Sequence, residues 1–186
     1  TSIGDFADCS NLTNITFGRG VVTIGSFSNC TSLISVVFPD NVTSISSFYG
    51  CTSLANITFG RGIKKIEYGT FDSCTSLTSV IISGSIYSIG NSAFYGCTSL
   101  TSVTIGNSVT SIGDKAFYKC NKLKTIFCKP ATPPAIYYYY SSVESSTTHS
   151  FPTNSGMKIY VPSDSYKKYT SYSSSNNMTQ GQNKWF

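Results

Sequence analysis

With 186 residues, 40% of them apolar and only 11% charged, the chain has enough apolar mass for one well-buried domain, and that balance excludes intrinsic disorder. The net charge of +5 is spread thinly, with small clusters at Lys64-Lys65, Lys115 to Lys129 and Lys167-Lys168. No element concentrates it beside side chains that read bases or phosphates, which argues against nucleic acid as a partner. No apolar run approaches the ~20 residues of a membrane-spanning helix.

The chain opens in mid-pattern at Thr1-Ser2-Ile3-Gly4 with no secretory leader, so an export signal is expected upstream in the natural protein. From Phe6 onward the sequence repeats. Cysteines stand at Cys9, Cys30, Cys51, Cys74, Cys97 and Cys120, at spacings of 21, 21, 23, 23 and 23. Three residues after each comes a leucine: Leu12, Leu33, Leu54, Leu77, Leu100 and Leu123. Six after comes Ile15, Val36, Ile57, Val80, Val103 or Ile126, and eight after comes Phe17, Phe38, Phe59, Ile82, Ile105 or Cys128. Val21, Val42, Ile63, Ile86 and Val109 follow, then Ile24, Ile45, Ile66, Ile89 and Ile112. Each unit closes on a phenylalanine just before the next cysteine: Phe27, Phe48, Phe71, Phe94 and Phe117, with Phe6 the tail of a preceding unit.

Within a unit, Leu-x-x-Ile-x-Phe/Ile ends in period-2 alternation of β-branched and aromatic residues, the pattern of a short strand with one buried face. A turn follows, such as Gly18-Arg19-Gly20 or Pro39-Asp40-Asn41, and then a second short extended run such as Val109-Thr110-Ser111-Ile112. The remainder, as in Gly113 to Lys119, has room for one helical or 3₁₀ turn, which must be tighter in the two shorter units. No single unit can bury its apolar face. Stacked at the strand-pairing distance of ~4.8 Å, identical columns form continuous ladders, and the phenylalanine rings come within stacking range. The expected fold is a mainly β solenoid of about six coils over residues 1–128.

After Cys128 the period breaks. Residues 129–157 read as an irregular excursion with Pro130, Pro133, Pro134, the run Tyr137, Tyr138, Tyr139, Tyr140 and the lone His149. Residues 158–186 read as a final strand and a C-terminal cap. Ile159-Tyr160-Val161-Pro162 matches Val36-Val37-Phe38-Pro39, so Lys158–Val161 is expected to pair on the last coil. Ser163 or Asp164 can start a short helix through Tyr172 that covers the open end of the core.

Units such as Cys97-Thr98-Ser99-Leu100-Thr101-Ser102-Val103-Thr104-Ile105, continuing to Phe117, resemble the BspA-like (treponemal-type) leucine-rich repeats over about residues 1–128. The Asn or Cys ladder three residues past the strand, usual in leucine-rich repeats at large, is missing. The resemblance implies a right-handed leucine-rich-repeat solenoid with 3₁₀ or helical turns on its outer side and a small C-terminal helical cap. It also implies a surface or secreted protein of host-associated, mostly Bacteroides-like bacteria, with a role in adhesion. Ala131-Thr132-Pro133-Pro134 and Ile159-Tyr160-Val161-Pro162 look like members from Bacteroides.

The chemistry-bearing residues point away from catalysis. A zinc site needs ligands converging on one point, whereas these cysteines are distributed one per coil. Neighbouring thiols ~5 Å apart could bridge in pairs, or form a ladder of small buried hydrophobes. Cys128 falls in a core column in either case. His149 would have to serve any acid–base scheme, and no carboxylates pair across a cleft; Asp40, Asp72 and Asp114 read as turn residues. We therefore expect no enzyme, no cofactor and no metal.

The outward strand positions form the candidate face. One column is Thr13, Ile34, Ala55, Thr78, Thr101 and Lys124; the other is Thr16, Val37, Thr58, Ile81, Thr104 and Phe127. Val37, Ile81 and Phe127 are apolar where polar residues would be expected, which suits either strand formation or an extracellular protein partner. Tyr137, Tyr138, Tyr139 and Tyr140 suit recognition or packing over the solenoid end. The expected function is protein recognition or adhesion at the cell surface. The alternatives are a structural spacer within a larger surface protein, or a carbohydrate-binding module using exposed tyrosines.

Overall fold

The computed structural model describes residues 1–136, 150–152, 157–165 and 167–168. The chain winds as a parallel β solenoid of about six turns with almost no helix. One stack of strands comes from the Leu-x-x-Ile-x-Phe/Ile segments: β3 (Ser35–Val37), β5 (Asn56–Thr58), β7 (Ser79–Ile81), β9 (Ser102–Ile105), β11 (Thr125–Cys128) and β13 (Lys158–Tyr160). The second extended runs supply the other stack: β1 (Ser2–Ile3), β2 (Thr23–Ile24), β4 (Ser44–Ile45), β6 (Lys65–Ile66), β8 (Ser88–Ile89), β10 (Ser111–Ile112) and β12 (Ala135–Ile136).

The register is the one the columns dictate. Val80, Val103, Ile126 and Ile159 pair in succession across β7, β9, β11 and β13, and Ile66, Ile89, Ile112 and Ile136 across β6, β8, β10 and β12. Leu33, Leu54, Leu77, Leu100 and Leu123 are fully buried. The phenylalanines stack along the axis from Phe6 to Phe117 at centroid separations of 5.2, 5.3, 5.6, 5.3 and 5.2 Å, with planes within 25° of parallel, within the range where aromatic pairs gain beyond burial.

The outer segments are hydrogen-bonded turns, not helical ones, and the cause is visible in the backbone. The residue before each cysteine takes a left-handed conformation: Asp8, Asn29, Gly50, Ser73, Gly96 and Lys119, with φ between 59° and 69°. In the 23-residue units a second such residue follows the extended run: Gly69, Ser92 and Lys115. Two left-handed residues within one segment prevent a helix. The peptide N–H groups bond instead to the next coil, as in Phe71 to Ala93 at 2.8 Å and Phe94 to Ala116 at 2.8 Å. The shorter units do turn more tightly, with two turn residues at 28–29 and 49–50 against six at 68–73.

Both strand stacks are interrupted near the first longer unit. Among the described residues the ladder β1-β2-β4 ends before β6, and β3-β5 ends before β7. The outer bonds cross this region without a break, with Phe48 N–H donating to Thr70 and Phe71 N–H to Ala93.

The stretch read as irregular returns to the period twice. β12 pairs on β10, one residue later than the repeat spacing. Phe151 then stacks on Phe117 at 5.3 Å and 4°, the next rung of the phenylalanine ladder. Ser150 accepts the Phe117 N–H at 2.6 Å, and its own hydroxyl donates to the Gly113 carbonyl. β13 pairs on β11 as the sequence suggests. The expected cap helix is present as a 3₁₀ turn, Ser163–Ser165, with helical backbone at 167–168; the rest of its expected span lies outside the described residues.

Two substitutions test this architecture. Leu77→Ala, in a middle coil, should cost ~2–5 kcal/mol and Phe151→Ala ~3–5 kcal/mol by cavity formation. A urea or thermal melt in which Phe151→Ala is near neutral would remove Phe151 from the ladder.

Candidate interaction surface

The β3–β13 sheet buries its Ile and Phe/Ile positions and turns the intervening side chains outward, so the outer face carries the same column in every coil. By repeat position that column runs Thr16, Val37, Thr58, Ile81, Thr104, Phe127; strand pairing joins Val37 to Thr58, and Ile81 through Thr104 and Phe127 to Tyr160. The three apolar residues singled out from the sequence are exposed: Val37 by 60%, Ile81 by 66% and Phe127 by 42%. Tyr160, half exposed, stacks on Phe127 with ring centroids 5.0 Å apart and planes 18° off parallel. Sequence reasoning missed Tyr160 as a surface residue, although its match to Val37 placed it in this column. Ile34 widens the apolar area in the adjoining column. Tyr137, Tyr138, Tyr139, Tyr140 and His149 lie outside the described residues.

The β3–β13 strands hold no Asp or Glu. Several carboxylates elsewhere serve local structure. Asp40 Oδ1 accepts the Arg61 peptide N–H at 2.9 Å, beside an exposed ion pair. Asp72 accepts the Ser73 hydroxyl at 2.7 Å, and burial raises its carboxyl above the ordinary range. Asp114 N–H donates to Asn91 Oδ1, while its buried Oδ1 has no partner. Among the described residues no group of three metal-ligating side chains converges. An open groove of about 480 Å³ lies at the other corner of the solenoid, between Asn107, Val109 and Thr110 on one side and Pro130, Pro133 and Ala135 on the other.

All seven cysteines are free thiols. Their column does more than fill space. Each thiol from Cys30 to Cys120 donates to the carbonyl of the phenylalanine in the preceding coil: Cys30 to Phe6, Cys51 to Phe27, Cys74 to Phe48, Cys97 to Phe71 and Cys120 to Phe94, at 3.1–3.3 Å. Each of those carbonyls also accepts a cysteine N–H from its own turn. A buried acceptor with two lone pairs is thereby satisfied twice, once within the turn and once across coils. Burial pushes the thiol of Cys51 up to about 12 and raises those of Cys30, Cys74 and Cys128; that of Cys97 is raised by the neighbouring Cys120 thiol and by burial. Cys9 departs from the expectation of uniform burial. It is exposed.

The profile of the BspA type leucine rich repeat region matches residues 25–145 in six copies. The chain belongs to this family. Among solved structures, the BspA-type chain is similar to a leucine rich cell surface protein from Faecalibacterium prausnitzii (32% identity over 68% of this chain and 31% of that one, TM-score 0.58). It is also similar to the T. pallidum leucine rich repeat protein (32% identity, 68% and 57% covered, TM-score 0.55). The pneumococcal vaccine antigen PcpA shares the fold at 20% identity, with 81% and 36% covered and a TM-score of 0.61. The BspA-type chain thus spans between 31% and 57% of the length of these proteins. No curated protein matches it.

The thiol column yields two predictions. A thiol reagent should label Cys9 in the native protein and the other six only after denaturation, counted by mass spectrometry; native disulfides would contradict the arrangement. Alkali should also destabilise the fold. The unfolded thiols titrate near the ordinary value of 9.0, while the buried ones hold their protons to higher pH. The native state then binds more protons than the unfolded one. Stability that is complete below pH 9.0 is lost above it, at about 1.4 kcal/mol per pH unit for each buried thiol. Urea midpoints across that range should fall less steeply for the Cys74→Ala/Cys97→Ala variant; equal slopes would mean that the thiols do not govern the loss.

Proposed function

We propose that this chain is a protein-recognition module displayed at the cell surface or secreted, and that it binds through the outward face of the β3–β13 sheet. The observation that carries the reading is the exposed apolar column Val37, Ile81, Phe127 and Tyr160 on a sheet without carboxylates. Apolar side chains at repeated outward positions, where the same repeat elsewhere places Thr, mark a patch built for contact. The Faecalibacterium relative is itself a cell surface protein, and modules of this fold commonly bind proteins. The Tyr137, Tyr138, Tyr139 and Tyr140 run is proposed on sequence grounds as a second contribution. A sheet that repeats its side chains in every coil gives a partner several modest contacts at once, with no single dominating residue.

The chain covers only part of the length of its relatives, which supports one other reading, a spacer that holds a further domain away from the cell. Capture separates the two. The immobilised chain should retain partners from host extracellular-matrix and mucus proteins. Ile81→Ser/Phe127→Ser should weaken capture several-fold with little change in the thermal melt, because both side chains point outward from intact inner columns. Capture unaltered by these substitutions and by replacement of the four tyrosines with serine would leave the spacer reading in front.

A further inference from the structure

Charge on this chain is segregated along the sequence. Residues 1–99 carry four Lys or Arg against five Asp or Glu, and residues 100–186 carry nine against three, so the two parts hold −1 and +6 of the net +5. On the recognition sheet the segregation is complete. Its strands and the column beside them are uncharged through the coil of β9, and then Lys124 and Lys158 appear in the last two coils. Lys158 pairs opposite Thr125, and its N–H donates to the Lys124 carbonyl at 2.8 Å, so the two lysines adjoin. Lys158 and Tyr160 are two residues apart on one strand and face the same way. Both lysines are exposed. The nearest carboxylate in sequence, Asp164, accepts the hydroxyl of Ser163.

The aromatic pair beside the lysines has a definite polarity. Phe127 and Tyr160 stack face to face, which covers part of each ring face and leaves the ring edges toward solvent. An aromatic ring is negative on its face and positive at its edge. The end of the sheet therefore combines two ammonium groups with two positive ring edges, and Ile81 offers a further apolar contact in the same column two strands away, beyond Thr104.

We propose that this end of the sheet is a docking site for an acidic, extended protein segment in which carboxylates alternate with apolar or aromatic side chains. The carboxylates meet Lys124 and Lys158, and the apolar side chains lie along Tyr160, Phe127 and Ile81. The assignment rests on the reading of this sheet as a protein-recognition face and adds the chemistry of its partner. A partner attracted by charge alone would not need these apolar contacts, and one attracted by apolar contact alone would not distinguish the basic end from the rest of the column.

The test uses the full chain and a fluorescein-labelled peptide of a dozen residues alternating Glu with Val and Tyr. Versions with Gln or Lys in place of Glu, and heparin fragments, serve as comparisons. Fluorescence anisotropy should show the Glu peptide binding about ten-fold or more tightly than the Gln peptide, and more weakly as salt is raised. Lys124→Glu/Lys158→Glu should reverse the preference toward the Lys peptide, and Phe127→Ser/Tyr160→Ser should weaken the Glu peptide at least several-fold, each variant keeping its thermal melt. Equal binding of the Glu and Gln peptides, or no effect of the lysine reversal, overturns the proposal. So does tight heparin binding indifferent to Phe127→Ser/Tyr160→Ser, which assigns the lysines to a sulfated glycan. If the proposal falls while Ile81→Ser/Phe127→Ser still abolishes capture of matrix proteins, the sheet remains a recognition face with another partner chemistry. If that capture also survives, the recognition reading falls with it.

Discussion

The peptide N–H of Phe71 reaches the Ala93 carbonyl one coil on, and that of Phe94 reaches Ala116 in the same way. In a solenoid the bonds that set the architecture run between coils, so each coil must present its groups where the next expects them. Side-chain identity follows from this. A residue stacks on its own kind at the strand spacing, and the column is uniform because the environment is. The same requirement explains the interruption in the middle of the molecule. Around the coil that lengthens from 21 to 23 residues, both strand ladders are interrupted, and the outer bonds through Phe48 and Phe71 carry the stack across. Backbone approach there is close: a Cβ on Gly62 would collide with the carbonyls of Val42 and Asp40.

The cysteine column shows why a repeat can demand one residue type. Alanine would fill a similar space, but it could not donate to the phenylalanine carbonyl one coil back. Serine could donate, but with a shorter reach and a stronger need for hydrogen bonding. The thiol is apolar enough to be buried and polar enough to complete the acceptor. This couples the cysteine and phenylalanine columns through the main chain, so the two are better regarded as one structural device.

The inner columns were legible because period and burial coincide: every residue placed in a core column between Phe17 and Cys128 is buried, with Ile57 partly so. The left-handed positions were not. Asp8, Asn29, Gly50 and Gly96 are of the types that enter this conformation at least cost, but Ser73 and Lys119 are not, so the stacking imposes it where the residue type does not favour it and no single column marks the position. Phe151 was hidden by the break in spacing, yet a local signal existed. Ser150-Phe151 repeats the small-residue–Phe step of Thr70-Phe71, Ala93-Phe94 and Ala116-Phe117. Of the candidate face, Val37, Ile81 and Phe127 were legible from alternation alone. The pairing of β13 on β11 was legible too, from the match of Ile159-Tyr160-Val161-Pro162 to Val36-Val37-Phe38-Pro39, and it put Tyr160 in the column of Phe127; the stacking of the two rings is what the structure adds.

A repeat of this kind fixes the inside of every coil and leaves the outside nearly free. Any outward position can take Thr, Ser or Asn at no cost to the stack, and the chain does so at Thr16, Thr58 and Thr104. Departures from that default therefore carry information about use that the core cannot carry. Val37, Ile81, Phe127 and Tyr160 depart in one column, growing from aliphatic to aromatic toward the C-terminal end, and the lysines of the face enter where the aromatic rings do. Strand propensity would favour Val, Ile or aromatics equally in every coil. It does not explain why side-chain size and positive charge rise together along the axis, whereas a surface whose contacts concentrate at one end does.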